Sequence, residues 1–260
     1  MKATVLLYHD VVRAGQFTAS GFQSPDANIY KLDEDEFGQH LQRIGQAARR
    51  KMMLVSQAAD DALMITFDDG GASAIAPIAG MLEQRGWRGH FFITTDYIGK
   101  PGFLTPAELR QLRARGHIVG SHSCSHPFRI HTLSEAELDR EWSESVRILE
   151  QILGEPVTTA SIPGGFYGDN VVRAAARAGI RDLFTSEPVR RVEDREGCRL
   201  FGRFSIQRAT PREHAAALAA GDLWPHLRQR LLWDAKKVLK AVGGPVWLEV
   251  RKRLLAKRAG

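Results

Sequence analysis

Only two cysteines, Cys124 and Cys198, occur in 260 residues, and they stand alone in sequence. That excludes a disulfide framework and suits a reducing compartment. Long apolar runs are also missing: no window approaches the roughly eighteen uninterrupted apolar residues of a spanning helix. The opening segment, Met1 to Asp10, holds an apolar stretch too short for a signal-peptide core and no small-residue cleavage site. It therefore reads as a strand and points to a cytoplasmic protein. No internal repeat or low-complexity segment stands out. What remains, 43% hydrophobic and 25% charged residues, is the composition of a globular chain able to bury a full core.

The body lacks an excess of either charge. Of the formal +6, residues 226–260 supply ten Lys or Arg against Asp234 and Glu249, a local +8 that leaves residues 1–225 near −2. No nucleic-acid motif accompanies this basic tail, so a nucleic-acid partner is not expected.

Strand-like and helix-like segments alternate along the chain. Strands are predicted over 4–9, 63–68, 89–95, 117–122, 157–162, 181–185 and 200–207. Helices are predicted over 33–51 with Asp33 as cap, and over 75–85 with Ile75, Ile78, Ala79 and Leu82 on one face, stopping at Gly86. Others are predicted from Thr105 to Gly116, from Ser134 to Leu153 and from Asn170 to Ala178. Residues 13–30 are polar and glycine-containing and read as a loop. Seven strands separated by helices argue for a parallel α/β barrel or an open doubly wound sheet.

The chain is organised around Leu63-Met64-Ile65-Thr66-Phe67-Asp68-Asp69-Gly70-Gly71. An apolar run fits a strand covered on both faces, and the glycines let the chain turn just past its carboxyl end, where parallel α/β folds place their ligand sites. Two carboxylates delivered there could divide the work, one holding a metal and one taking a proton; a plain Asp-Asp-Gly turn would look the same. A second cluster, Ser121-His122-Ser123-Cys124-Ser125-His126-Pro127, also follows a strand. Its two imidazoles are either an incidental pair or, with a carboxylate, a three-ligand set suited to Zn²⁺ or another divalent transition metal.

Together these stretches resemble the polysaccharide deacetylases, the NodB-homology group of carbohydrate esterase family 4: Thr66-Phe67-Asp68-Asp69-Gly70 resembles the first family motif and His122-x-x-x-His126 the second. The resemblance spans roughly residues 3–210. It implies a distorted (β/α)7-type barrel with parallel strands and metal-dependent removal of N-acetyl groups from a sugar. It further implies Asp68 as general base and Asp69, His122 and His126 as ligands of a divalent metal, Zn²⁺ ahead of Co²⁺, Ni²⁺ or Mn²⁺. In the third motif, Ser161-Ile162-Pro163-Gly164-Gly165 keeps Pro and Gly but has Ser where the family carries the Arg that orients the base. A backbone N–H near Gly164 is the implied oxyanion donor, and Pro163, Gly164, Gly165 and Tyr167 the implied substrate-binding residues. The fourth motif has no counterpart near 182–187. The Leu-x-His that supplies the general acid is absent from the carboxyl end, but Leu7-Tyr8-His9 has the pattern at the amino end, resembling a circularly permuted branch that includes exopolysaccharide deacetylases. That implies His9 as general acid, with Asp10 either orienting it or serving a turn.

Several tempting residues have plainer readings. Cys124 is not needed as a ligand, His90 and His117 read as structural, Trp87 as core, and Phe166 and Tyr167 as candidate sugar platforms. In the tail, Trp224, Leu227, Leu231, Val238 and Val242 recur at helical spacing, and Val246, Trp247, Val250 and Leu254 begin a second stripe after Gly243-Gly244-Pro245. The division expected is a barrel over 1–222 and basic amphipathic C-terminal helices over 223–260. Those helices either pack on the barrel or lie peripherally on the inner membrane face, with a lipid-linked or nascent N-acetylated glycan as substrate. An amide hydrolase acting on a small non-sugar substrate and a non-catalytic glycan-binding relative are the alternatives.

Overall fold

A computed structural model of the chain describes residues 1–235. Its strands are β1 (Ala3–Tyr8), β2 (Val11–Val12), β3 (Leu32–Asp33), β4 (Ala62–Phe67), β5 (His90–Ile93), β6 (Ile118–Ser121), β7 (Thr159–Ser161), β8 (Asp182–Phe184), β9 (Glu193–Arg195), β10 (Cys198–Phe201) and β11 (Phe204–Ser205). The α-helices are α1 (Pro25–Asn28), α2 (Glu34–Ala47), α3 (Gly80–Glu83), α4 (Pro106–Ala114), α5 (Glu135–Leu153), α6 (Asp169–Arg177) and α7 (Arg212–Ala220). Residues 223–235 are also helical.

Nine strands form one sheet in the order β11-β1-β4-β5-β6-β7-β8-β10-β9, parallel throughout except for the β9–β10 pair. The sheet curls into a barrel with helices outside it. The stretch 200–207, expected as one seventh strand, is two: β10 pairs with β8 and β11 with β1, so the chain itself steps across the closure at Gly202 and Arg203.

Strand periodicity sorts the core into two layers. Leu6, Tyr8, Leu63, Ile65, Phe67, Phe91 and Ile93 face the helices, among them the fully buried Trp142 of α5. Ala3, Val5, Ala62, Met64, Phe92, Phe184 and Phe201 fill the inside of the barrel. Continued to the carboxyl end of each strand, the inward parity reaches His9 after β1, Asp68 after β4, His122 after β6 and Ser161 at the end of β7. Binary pattern alone therefore carries four polar side chains to one rim.

The helix expected over 75–85 is broken. Ala76 has φ −152° and ψ 121°, and regular α-helix begins only at Gly80, because a proline at position 77 disfavours the helical region for its predecessor. Thr105 with Glu108, and Ser134 with Glu137, form the capping boxes that start α4 and α5. Helix 223–235 lies on the barrel through His226, stacked on Phe204 at 4.2 Å, and through Gln229, whose amide donates to the Ser205 carbonyl at 3.1 Å. The stripe residues Val238, Val242, Val246, Trp247, Val250 and Leu254 lie outside the described residues.

Candidate active site

The rim is built from neighbours in register. Tyr8 pairs with Phe67, so His9 and Asp68 are the next residues of two adjacent strands, tied by the Asp68 N–H donating to the Tyr8 carbonyl at 3.2 Å. Ser121 pairs with Ala160, which sets His122 beside Ser161. Asp68 arrives by strand alternation. Asp69 arrives by a turn: its φ of +77° is the left-handed region, costly for a residue with a Cβ, and it folds the second carboxylate back toward the first. Gly71 follows because nothing larger fits; a Cβ there would lie 2.0 Å from Asp10 Oδ1.

Asp69, His122 and His126 offer ligand atoms all within 4.8 Å of one another. Nε2 of His122 and Nε2 of His126 each stand 3.5 Å from Asp69 Oδ1, and that oxygen is buried with no hydrogen-bond partner. An orphaned buried carboxylate oxygen facing two imidazole nitrogens is unfavourable as it stands and fits a divalent cation. The His122 tautomer agrees. Its Nδ1 lies 3.0 Å from the Ser161 carbonyl oxygen, which can only accept, so Nδ1 carries the hydrogen and Nε2 the lone pair. Burial pushes the His122 imidazole down to about 3 and also lowers His126, keeping both neutral as ligands must be.

Asp68 sits in a different electrostatic setting from its neighbour. Arg203 grips it with both arms of its guanidinium, Nη1 to Oδ1 at 2.7 Å and Nη2 to Oδ2 at 2.8 Å, and Ser161 Oγ donates to Oδ1 at 3.0 Å. Burial by itself would raise this carboxyl, but Arg203 and His122 outweigh it and hold Asp68 well below the usual carboxylate range. Asp69, equally buried and without such a partner, is pushed up to about 7 by burial, with the charges of Asp68 and Asp10 adding to the rise against His9 and Lys31.

Arg203 was not among the residues the motifs singled out. Ser stands at the family Arg position, and the guanidinium comes instead from the closure between β10 and β11. It is fully buried, donates from Nε to the Thr185 carbonyl at 2.9 Å, and lies 5.8 Å over the Phe92 ring. Phe201-Gly202-Arg203-Phe204 carried a signal: a charge inside an apolar strand needs a buried counter-charge.

The remaining residues fall as follows. The His9 ring packs against Tyr30 at 4.5 Å with its Nδ1 buried and unpartnered, and its charge favours ionisation of both Asp68 and Asp69. Asp10 is engaged elsewhere: its Oδ1 accepts the hydroxyls of Ser20 and Ser73 at 2.5 and 2.7 Å, which pins the 13–30 loop beside the rim. Pro163, Gly164 and Gly165 directly follow Ser161 and Ile162. Gly164 has φ +69°, and a Cβ there would meet the Phe128 carbonyl oxygen at 2.3 Å, so this loop abuts the one that follows His126. The Tyr167 hydroxyl donates to Glu187 Oε2 at 3.1 Å. Cys124 is buried and its thiol is pushed up to about 11 by that burial, which keeps it protonated. His90 accepts the Val55 N–H at 2.9 Å and His117 the Gly89 N–H at 3.1 Å, both within the core. Trp87 packs on the outer core layer.

Comparison with known proteins agrees with this fold. YxkH of Bacillus subtilis, a protein named as a polysaccharide deacetylase, is 21% identical over 196 residues, 72% of this chain and 65% of its own. The chain thus spans less than two thirds of that relative. A polysaccharide deacetylase from Bacillus cereus shares the fold with a TM-score of 0.70 at 18% identity, over 84% of this chain and 69% of that one. The Streptococcus pyogenes deacetylase PplD, solved in complex with acetate, gives 0.68 at 19% identity, over 82% of this chain and 96% of that one. Residues 56–183, which hold Asp68, Asp69, His122, His126 and Ser161, match the polysaccharide deacetylase family.

Proposed function

We propose that the chain is a metal-dependent hydrolase that removes N-acetyl groups from an N-acetylated sugar of a polysaccharide or lipid-linked glycan. The observation that carries this is the pairing of an ionised carboxylate, Asp68, with an adjacent cluster of two imidazoles and one carboxylate spaced to hold a cation. Asp69, His122 and His126 would hold the ion, Zn²⁺ suiting two imidazoles and one carboxylate best, with Co²⁺, Ni²⁺ or Mn²⁺ as substitutes. When bound, such an ion supplies Lewis-acid polarisation of the acetyl carbonyl and acidifies water.

The chain's own residues divide the rest of the work. Asp68 Oδ1 is occupied by Arg203 and Ser161, whereas Oδ2 receives one arm of Arg203 and lies 3.8 Å from His122 Nε2. Oδ2 is therefore the oxygen that faces the cluster and takes the proton from attacking water, and Arg203 stops it rotating away. His9, one strand over, gives a proton to the departing amine. The Gly164 backbone N–H serves the developing oxyanion, Pro163 and Gly165 fix that loop, and Tyr167, anchored through Glu187, lends its ring to the sugar. Supplying the acid from the first strand instead of the last is the permuted arrangement, which a closed barrel permits because those strands are neighbours.

This reading predicts acetate release from N-acetylglucosamine oligomers by the metal-loaded protein. Release from small acetylated amides but from no sugar would favour the non-sugar amide hydrolase instead, and release from neither would favour a glycan-binding protein.

The barrel over 1–222 is taken as the catalytic unit and 223–260 as an extension. Among the described residues no helix is long and apolar enough to cross a membrane. Helix 223–235 nevertheless turns Leu223, Trp224, Leu227 and Leu231 outward, Trp224 with 74% of its surface exposed, beside Arg228. Together with the basic sequence that follows, this supports peripheral contact with an anionic lipid surface on the cytoplasmic face, where free cysteines are stable. Co-sedimentation with anionic but not neutral vesicles, lost in a Trp224→Glu, Leu227→Glu variant, is the expected result. Equal sedimentation with neither vesicle would exclude it.

A further inference from the structure

His122 directly follows β6 and, unlike Asp69 with its left-handed turn beyond β4, inherits its position from the sheet alone. His126 does not: it ends a four-residue excursion in which Ser123 and His126 both take left-handed backbone, at φ +61° and +59°, conformations costly for residues with a Cβ. A loop held in that shape needs an external partner.

The partner is Glu141, on the face of α5 turned toward the barrel and only 4% exposed. Its Oε2 accepts the backbone N–H of Cys124 at 3.0 Å and of Ser125 at 2.9 Å, and its Oε1 accepts the Ser125 hydroxyl at 2.7 Å. It forms no ion pair among the described residues, so three loop donors are what compensate a buried carboxylate. One turn further along α5, Ser145 Oγ meets Ser121 Oγ at 2.7 Å at the start of the same loop, and Ser121 Oγ accepts the Ser123 N–H at 3.1 Å. The loop closes internally with the His126 N–H on Ser123 Oγ at 3.2 Å. Helix α5 thus holds the loop at Ser121 and again at Cys124 and Ser125, and the Glu141 carboxylate is bound immediately before His126, the most exposed of the three ligands.

We propose that Glu141 is a positioning residue that sets the affinity of the metal cluster by holding the 122–126 loop in its strained shape, so that His126 is presented to the cation before binding. It touches neither cation nor substrate and acts through the loop backbone. The inference rests on Asp69, His122 and His126 being a metal site. An amide at this position could keep both backbone bonds on its oxygen and donate to the Ser125 hydroxyl, but it loses the negative charge that makes these bonds strong.

The test is calorimetric titration of the metal-free protein with Zn²⁺, comparing wild type, Glu141→Gln and Ser125→Ala, with circular dichroism to confirm folding. Glu141→Gln is expected to weaken zinc binding by about 10- to 100-fold, the range for losing an outer-shell support. Ser125→Ala, which removes one of the three bonds and leaves no buried charge unpaired, should weaken it about fivefold, as for one hydrogen bond. At saturating zinc, turnover of both variants should return to within a few-fold of wild type. A folded Glu141→Gln with wild-type zinc affinity overturns the proposal; should that variant fail to fold, unchanged affinity in Ser125→Ala overturns it. Failure of wild type itself to bind zinc would instead overturn the metal-site reading.

Discussion

Replacing Arg203 by methionine is expected to lower the melting temperature by about 10 °C and acetate release by about 10²-fold or more. The guanidinium and Asp68 form a fully buried, two-armed ion pair. Removing one partner of such a pair strands the other charge in the interior, a cost of roughly 3–5 kcal/mol, which in a chain of this size is about 10 °C of melting temperature. The pH dependence follows from the sign of the shift. Asp68 is depressed in the folded protein, so its stabilisation is present above the ordinary carboxylate range, near pH 3.9 in an unfolded chain, and is lost as pH falls through the depressed value. In Arg203→Met the opposing charge is gone and burial dominates. The carboxyl then titrates above its ordinary value, and the acid limb of the rate profile moves up with it. Arg203→Lys keeps a charge but loses the fork, so it should fall between the two. Thermal melts and rate profiles of the three proteins from pH 4 to 9 decide the matter; a methionine variant with wild-type stability and an unmoved acid limb would contradict it.

His9→Ala is the second large effect: turnover falls by about 10² to 10⁴, the range for a lost general acid, while bound metal is unchanged, because His9 lies outside the cluster of Asp69, His122 and His126. An activated acetyl ester, whose leaving group departs without a proton, should lose far less. If His9 were only a packing partner of Tyr30, the variant would melt earlier but hydrolyse amide and ester in unchanged proportion.

Most strands of the main sheet were legible because they are short and apolar, whereas β9, Glu193-Asp194-Arg195, has no apolar signal, and the rim was legible because period-two alternation carries Asp68, His122 and Ser161 inward at strand ends. Three features were less legible, for identifiable reasons. The strand split at Gly202 depends on which strands lie at the two edges of the sheet, a long-range fact that no local window holds. The break near Ala76 was visible in Pro77, but the apolar spacing of Ile75, Ile78, Ala79 and Leu82 outweighed it. Arg203 reaches Asp68 from 135 residues away; motif spacing pointed to position 161, where Ser161 keeps a contact with Asp68 but not the charge. Asp10 shows the limit of adjacency as an argument, since its carboxylate serves the 13–30 loop, not its neighbour His9.

In the proposed reaction, hydrolysis of the acetylated sugar depends on a cation held by Asp69, His122 and His126. The most direct measurement is metal content of purified wild-type and His122→Ala protein, with acetate release from N-acetylglucosamine oligomers assayed on the same samples. The account predicts about one divalent ion per wild-type chain, its loss in the variant, and acetate only where the ion is present. Wild-type protein that stays metal-free after reconstitution, or a variant that releases acetate as fast without its metal, would contradict it.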